Sequence, residues 1–343
     1  MSNALYALPT TMKAVEIARP GGPEVLELTT RPVPVQTHEQ VLIRIHAAGV
    51  NGPDVLQRKG LYNPPPGASD IPGLEIAGEV AAVGDAVTRF RVGDMVCALV
   101  TGGGYSEYAV AHESNTLKIP RGLTITEAAG MPETFMTVWL NLFQRGKFTR
   151  GETVLIHGGA SGIGTTATML AKAFGASKII TTVGSEAQQA ASLRLGADLA
   201  VNYLEEDFVE EAIRFTDGVG VDVILDIIAG DYVARNYQAA AMNGRILQVS
   251  VINGPAKELD LFPMLTKRLV HMGTTLRSRN PADKAAIIRE LEQHVWPFMA
   301  TGNVKPVVYQ TFPLEAVCAA HELMDSAVHI GKIILTTAAS TAL

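Results

Sequence analysis

Thr153 to Ala173 reads TVLIHGGASGIGTTATMLAKA, and the order of its parts decides the fold. Thr153 to His157 is a short, apolar, β-branched run, as befits a strand buried on both faces of a parallel sheet. Gly158 to Gly164 follow as a turn of small residues, and an alanine-rich amphipathic stretch comes next. A dinucleotide site asks three things of such a turn: a sharp bend, backbone N–H groups able to approach a pyrophosphate, and a helix lying close on the strand. Gly159 and Gly164 hold the outer places of G-x-G-x-x-G, while Ser161 stands in the middle place, followed by Gly162 and Ile163. A serine still lets the main chain approach, and it can cap the helix or donate to a phosphate oxygen. A tight turn with no ligand is the plain alternative.

The chain beyond Thr134 alternates strands and helices. Apolar strands are predicted at Lys178 to Val183, Leu199 to Tyr203, Asp222 to Ile228, Arg245 to Ser250 and Val270 to Leu276. Helices are predicted between them, one over Glu186 to Leu195 and another carrying the acidic run Glu205, Glu206, Asp207, Glu210 and Glu211 as a solvated face. With the first strand this makes six, hence a doubly wound parallel sheet. Pro281 to Ala300 reads as one further helix.

Composition sets outer limits. The 343 residues suit two domains, and 47% hydrophobic against 18% charged residues gives ample core material. A net charge of −6 offers no basic field for a phosphate backbone, so nucleic acid is not an expected partner. The start lacks a secretory pattern and no stretch reaches spanning length, which points to a cytoplasmic protein without membrane contact. Cys97 and Cys318 stand alone, so neither a disulfide framework nor a zinc ribbon can be built from them.

From Met12 to about Thr134 short β-patterned runs such as VLIRIHAAGV and GDMVCALV, punctuated by Gly and Pro, suggest a compact antiparallel barrel. Within it, Gly73-Leu74-Glu75, Gly78, Val80, Val83-Gly84 and Gly93-Asp94 with Val96 are spaced so that the chain resembles the medium-chain dehydrogenase/reductase superfamily. The resemblance implies an α/β protein made of a GroES-like β-barrel catalytic domain (residues 1–134 and 280–343) and a Rossmann domain (135–279). It also implies that VKPVVYQTF and HIGKIILTT return to the first domain. Zinc-dependent members carry a Cys where Gly52 falls and a His where Leu74 falls; both ligands are missing here, so no metal is expected.

Over residues 12 to 337 the chain is similar to zinc-free quinone oxidoreductases of the zeta-crystallin type, especially the tumour-suppressor-induced group. The segments carrying this are GLYNPPPGAS, LIHGGASGIGTTA, LGADLAVNY, ILDIIAGDY, LRSR at Leu276 to Arg279, and IGKIIL. NAD-binding units end their second strand on a carboxylate that holds the ribose 2′-OH. Here the strand ends at Gly184-Ser185, which does not repel a 2′-phosphate, and Ser185 and Tyr203 can hydrogen-bond one. NADPH is therefore expected, although Gln188 stands where the family usually has a countercharging lysine. The resemblance further assigns Thr137 to the nicotinamide, Ile227, Ile228, Ser250 and Val251 to the switch crevice, and Thr275, Leu276 and Arg277 to the end of the last strand. Lys332 is expected to reach back over the cleft.

Hydride transfer belongs to the nicotinamide, and no Ser-His-Asp set or carboxylate pair stands out. Asn51 and Tyr62 are the polar side chains expected against a carbonyl oxygen: Asn51 as an N–H donor, Tyr62 as an O–H donor and aromatic wall. Asp54 is assigned to structure. The expected activity is reduction of a quinone by NADPH in a homodimer joined through the edge of the Rossmann sheet, within Arg245 to Leu276. An enone or alkenal reductase is the enzymatic alternative. A cofactor-responsive binding or crystallin-like structural protein is the alternative of another class.

Overall fold

The computed structural model describes residues 8–339. Six parallel strands form one sheet in the chain order 3-2-1-4-5-6. Thr153–His157 lies at its centre between Lys178–Val183 and Val221–Asp226, the point at which the strand order reverses. The apolar strands are buried on both faces because helices cover both: Val154, Leu155, Ile156, Ile180 and Ile224 have no measurable exposure. Gly162–Ala173 and Glu186–Leu195 are the first two covering helices.

Three of the predicted spans, Thr153–His157, Lys178–Val183 and Glu186–Leu195, coincide with the structure; others shift for identifiable reasons. The strand expected at Asp222 to Ile228 is Val221–Asp226, because the Asp226 carboxylate accepts the N–H groups of Ile228 (2.6 Å) and Ala229 (3.0 Å) and turns the chain there. Leu199–Asn202 and Val270–Gly273 also stop short of the expected ends, and the fifth strand is Ala240–Gln248 rather than Arg245 to Ser250. Of the acidic run, Glu205 and Glu206 precede the helix, Asp207 caps it, and only Glu210 and Glu211 lie within Phe208–Phe215. The single helix expected over Pro281 to Ala300 is two, Pro281–His294 and Trp296–Ala300, since Pro297 cannot continue the intrahelical ladder.

The second large sheet has seven strands. Its centre is Gln40–Val50, flanked by Glu75–Val83, Tyr108–His112 and Lys332–Thr336. Within residues 12–134 every pairing is antiparallel, as expected, and Val308–Pro313, from the far end of the chain, runs parallel to Lys332–Thr336. The last strands thus rejoin the sheet that the first residues build. A two-stranded sheet, Thr11–Ile17 with Leu26–Pro32, completes the strands.

Two links hold the C-terminal strand against the glycine loop. Gly331 N–H donates to Ala160 O at 2.7 Å, and Gly331 bridges Ser161 in parallel register. Between the sheets lies an apolar core containing Met131, Phe135, Met136 and Trp139 from the segment that joins them. No helix among the described residues is long and apolar enough to cross a membrane.

Candidate active site between the two sheets

The glycine loop meets the demands of close approach. Gly158 has φ +67°, a left-handed conformation that costs glycine little. A Cβ on Gly159 would lie 2.6 Å from Thr181 Cβ, and one on Gly164 would overlap Gly158 O, so helix and strand approach only because these side chains are absent. Ser161 caps the helix, its Oγ accepting from Gly164 N–H at 3.0 Å. Gly162 faces Lys332 Cδ, which would be 2.7 Å from an added Cβ. Ile163 is half-buried beside it.

At the end of the second strand, Ser185 caps Glu186–Leu195 and accepts from Gln188 N–H at 3.3 Å. The Gln188 amide is engaged at both ends: Oε1 accepts from Gly184 N–H (3.0 Å) and Nε2 donates to Ala327 O (3.0 Å). It braces the C-terminal helix Val317–Ser326 against this turn and carries no charge. Tyr203 is about half exposed, and its hydroxyl would be 2.6 Å from a Cβ on Gly184. Ile227 and Ile228 follow the fourth strand, and Ile227 Cδ1 packs on Gly158. Ser250 and Val251 lie past the fifth strand, Thr275, Leu276 and Arg277 past the sixth. Strand ends and glycine loop share one edge of the sheet, the carboxyl edge at which open α/β sheets bind ligands.

Opposite it the seven-stranded sheet contributes a buried charged network. Glu75 has no measurable exposure; its Oε1 accepts from Asn51 Nδ2 (2.9 Å) and pairs with Lys332 Nζ (2.7 Å), and its Oε2 accepts from Glu133 N–H (2.8 Å). Lys332 Nζ also donates to Asn51 Oδ1 (2.6 Å) and Val50 O (2.9 Å). Lys332 therefore lies beside the glycine loop, and its ammonium, expected to reach back over the cleft, turns into the seven-stranded sheet. Asn51 Nδ2 donates to Gly49 O (3.3 Å) as well as to Glu75, so both of its N–H groups are engaged within the protein and neither is turned to a substrate carbonyl.

Asp54 is buried and its carboxylate gathers the Asn51 N–H (2.9 Å), the Gly73 N–H (3.0 Å) and the Tyr105 hydroxyl (3.2 Å). Desolvation raises its pKa to about 6 against these hydrogen bonds. It shapes the loop before the helix Gly52–Arg58.

Tyr62 and Arg277 meet each other. The guanidinium carbon is 5.4 Å from the Tyr62 ring centroid, within cation–π range. Arg277 Nε donates to Thr101 O (2.9 Å) and Nη2 to Gln57 Oε1 (2.9 Å), so this residue from beyond the sixth strand is tied to the loop after Met95–Leu99 and to the helix Gly52–Arg58 without a carboxylate. Nη1 is buried and has no partner. Burial lowers the Arg277 pKa and raises that of Tyr62.

Thr137 lies in the helix Pro132–Val138 and is buried. Its hydroxyl donates to Glu133 Oε1 at 3.3 Å, one helical turn earlier. Glu133 and Glu75 are the residues that sequence reasoning passed over. The signal for Glu133 was available: E-x-x-x-T puts the two on one helix face. Glu133 Oε2 is buried without a partner, and its pKa rises to about 7, first through desolvation and next through the neighbouring Glu75.

A zinc ion does not fit the place that the superfamily gives it. Gly52 has no side chain, and Leu74 is a buried hydrocarbon without a donor atom. Among the described residues no group of three His, Cys, Asp or Glu could hold a metal.

Residues 37–121 match the family model for an alcohol dehydrogenase GroES-like domain and residues 162–293 that for a zinc-binding dehydrogenase. The human quinone oxidoreductase is 32% identical over 329 residues, 94% of this chain and 97% of that protein. Two solved structures are similar: a quinone oxidoreductase from Pseudomonas syringae pv. tomato (TM-score 0.84, 31% identity, 95% of this chain and 99% of that one) and the Escherichia coli quinone oxidoreductase complexed with NADPH (TM-score 0.83, 28% identity, 95% and 99%). With the dinucleotide-type loop, the reversed strand order and this likeness along nearly the whole chain, the protein belongs to the quinone oxidoreductase family of medium-chain dehydrogenases/reductases and is an oxidoreductase.

Proposed function

We propose that this protein is an NADPH-dependent, zinc-independent quinone reductase. The observation that carries the reading is the cleft itself. A glycine loop tight enough for a pyrophosphate stands at the carboxyl edge of the parallel sheet, Arg277 from beyond the last strand of that sheet lies on the Tyr62 ring, and the metal-ligand places hold Gly52 and Leu74. When bound, the nicotinamide supplies the hydride. The protein's residues bind, orient and exclude water. Gly159, Ser161, Gly162 and Ile163 receive the pyrophosphate. Gly184, Ser185, Gln188 and Tyr203 surround the adenosine ribose, where no carboxylate stands against a 2′-phosphate. Ile227, Ile228, Ser250, Val251, Thr275 and Leu276 line the crevice, and Thr137 lies by the nicotinamide. Tyr62 offers a flat acceptor its ring and its O–H, while Asn51 and Lys332 hold the floor through Glu75. A similar fold complexed with NADPH in the Escherichia coli protein supports the choice of cofactor.

We also propose a homodimer. Val270–Gly273 is the outer strand of its sheet, paired on one side only. Just before it in the chain Leu261, Phe262 and Leu265 are each more than half exposed, apolar side chains that a second copy would cover.

The test is NADPH oxidation measured with ortho-quinones and with small enals. Quinones are expected to give the higher kcat/KM; a large preference for enals would reject the assignment. Reduction of an activated C=C is the second reading, and the near-neutral Glu133 carboxyl favours it, since that reaction needs a placed acid for the α-carbon.

A further inference from the structure

Five buried side-chain atoms among the described residues have no hydrogen-bond partner. Three belong to His46 and His329. The other two, Glu133 Oε2 and Arg277 Nη1, belong to the cleft. Buried polar atoms are seldom left unpaired without a reason, and a missing ligand is one.

Glu133 is held for a purpose on every other side. Its N–H donates to Glu75 Oε2, and its Oε1 receives the Thr137 hydroxyl, which fixes the carboxyl plane and leaves Oε2 free. The groups that act on it come from each neighbouring element: Glu75 and Asp54 as negative charges, Lys332 and Lys284 as positive ones. Tyr62 and Arg277 feel its charge in turn. Lys284 is itself fixed, its Nζ donating to Arg277 O at 2.9 Å, so it forms no ion pair with Glu133.

We propose that Glu133 is the acid that protonates the acceptor after hydride transfer, with Oε2 the atom turned to substrate. This rests on the reductase reading. The acceptor gains two electrons and one proton as hydride while the nicotinamide is oxidised, which leaves an oxyanion. Glu133 gives its carboxyl proton to that oxygen and becomes a carboxylate, and water restores the proton. The rival donor in the cleft is Tyr62, whose phenol burial makes a weaker acid than usual. A carboxyl titrating at about 7 suits transfer at neutral pH better, because donor strength and protonated fraction are then both adequate.

Glu133→Gln tests this without removing volume. In the wild type kcat for quinone is expected to fall as pH rises through about 7, since only the protonated carboxyl donates. In E133Q that limb should vanish and kcat should drop about tenfold or more, with the NADPH dissociation constant unchanged. A readout apart from turnover is the carboxyl 13C resonance that E133Q removes, which should titrate near neutrality; titration in the ordinary carboxylate range overturns the proposal. Unchanged kcat and pH profile in E133Q would also overturn it while leaving the reductase reading intact. A wild type that reduces neither quinones nor enals with NADPH would end both.

Discussion

Glu75 shows how one buried side chain can tie three separate elements together. It is a carboxylate with no exposure that joins the loop of Asn51, the last strand through Lys332 and the start of the helix Pro132–Val138 through Glu133. Removing one partner of a buried ion pair leaves an uncompensated charge in a poor solvent. Lys332→Met is therefore expected to destabilise the fold by about 3–5 kcal/mol in urea unfolding. The double variant K332M/E75Q should recover most of that loss; a single variant as stable as the wild type would contradict the network. The sequence displayed Glu75 within G-L-E and Lys332 within I-G-K, but not their pairing, since 257 positions separate residues 75 and 332. Nor could it show that Asn51 spends both N–H groups inside the protein. Which atoms a side chain meets follows from the packing of distant strands, and residue identity does not encode it.

At the scale of the element, the strand-turn-helix at Thr153 was legible because its demands are local. Strand, turn and cap are each set by residues within a few positions, and Ser161 caps the helix as its chemistry allows. Gly164→Ala would put a Cβ onto Gly158 O and 2.6 Å from Gly159 Cα, so the helix must retreat from the strand. NADPH affinity is expected to fall about tenfold or more, with a stability loss of about 1–3 kcal/mol, read by fluorescence titration and thermal unfolding. Gly52→Ala is the control: an added Cβ there meets nothing within 4 Å, so affinity and melting temperature should stay as they are. Strand ends were harder to read than strand centres. Asp226 stops its strand by turning its own carboxylate back on the following N–H groups, and Pro297 divides a helix whose apolar pattern runs on past it.

For the whole molecule, the exposed apolar side chains of the segment before Val270–Gly273 bear on the proposed dimer. Leu265 is 74% exposed and Phe262 66%. Leu265→Glu is expected to weaken dimerisation about tenfold or more in sedimentation equilibrium, because a charge would have to be desolvated at the contact. A wild type that sediments as a monomer would end the dimer reading. The sequence by itself determined the class of fold, through hydrophobic periodicity and a glycine spacing that few other structures require. It also determined that Gly52 and Leu74 offer no ligand atom to zinc, since donor chemistry belongs to the residue. Only the tertiary structure decided the electrostatics of the cleft. Glu133 becomes a near-neutral acid because folding withdraws it from water and sets it beside Glu75, while Lys332 loses its solvent to the same network. Desolvation and charge proximity are properties of three-dimensional neighbourhoods, and these arise only when the two sheets close on each other.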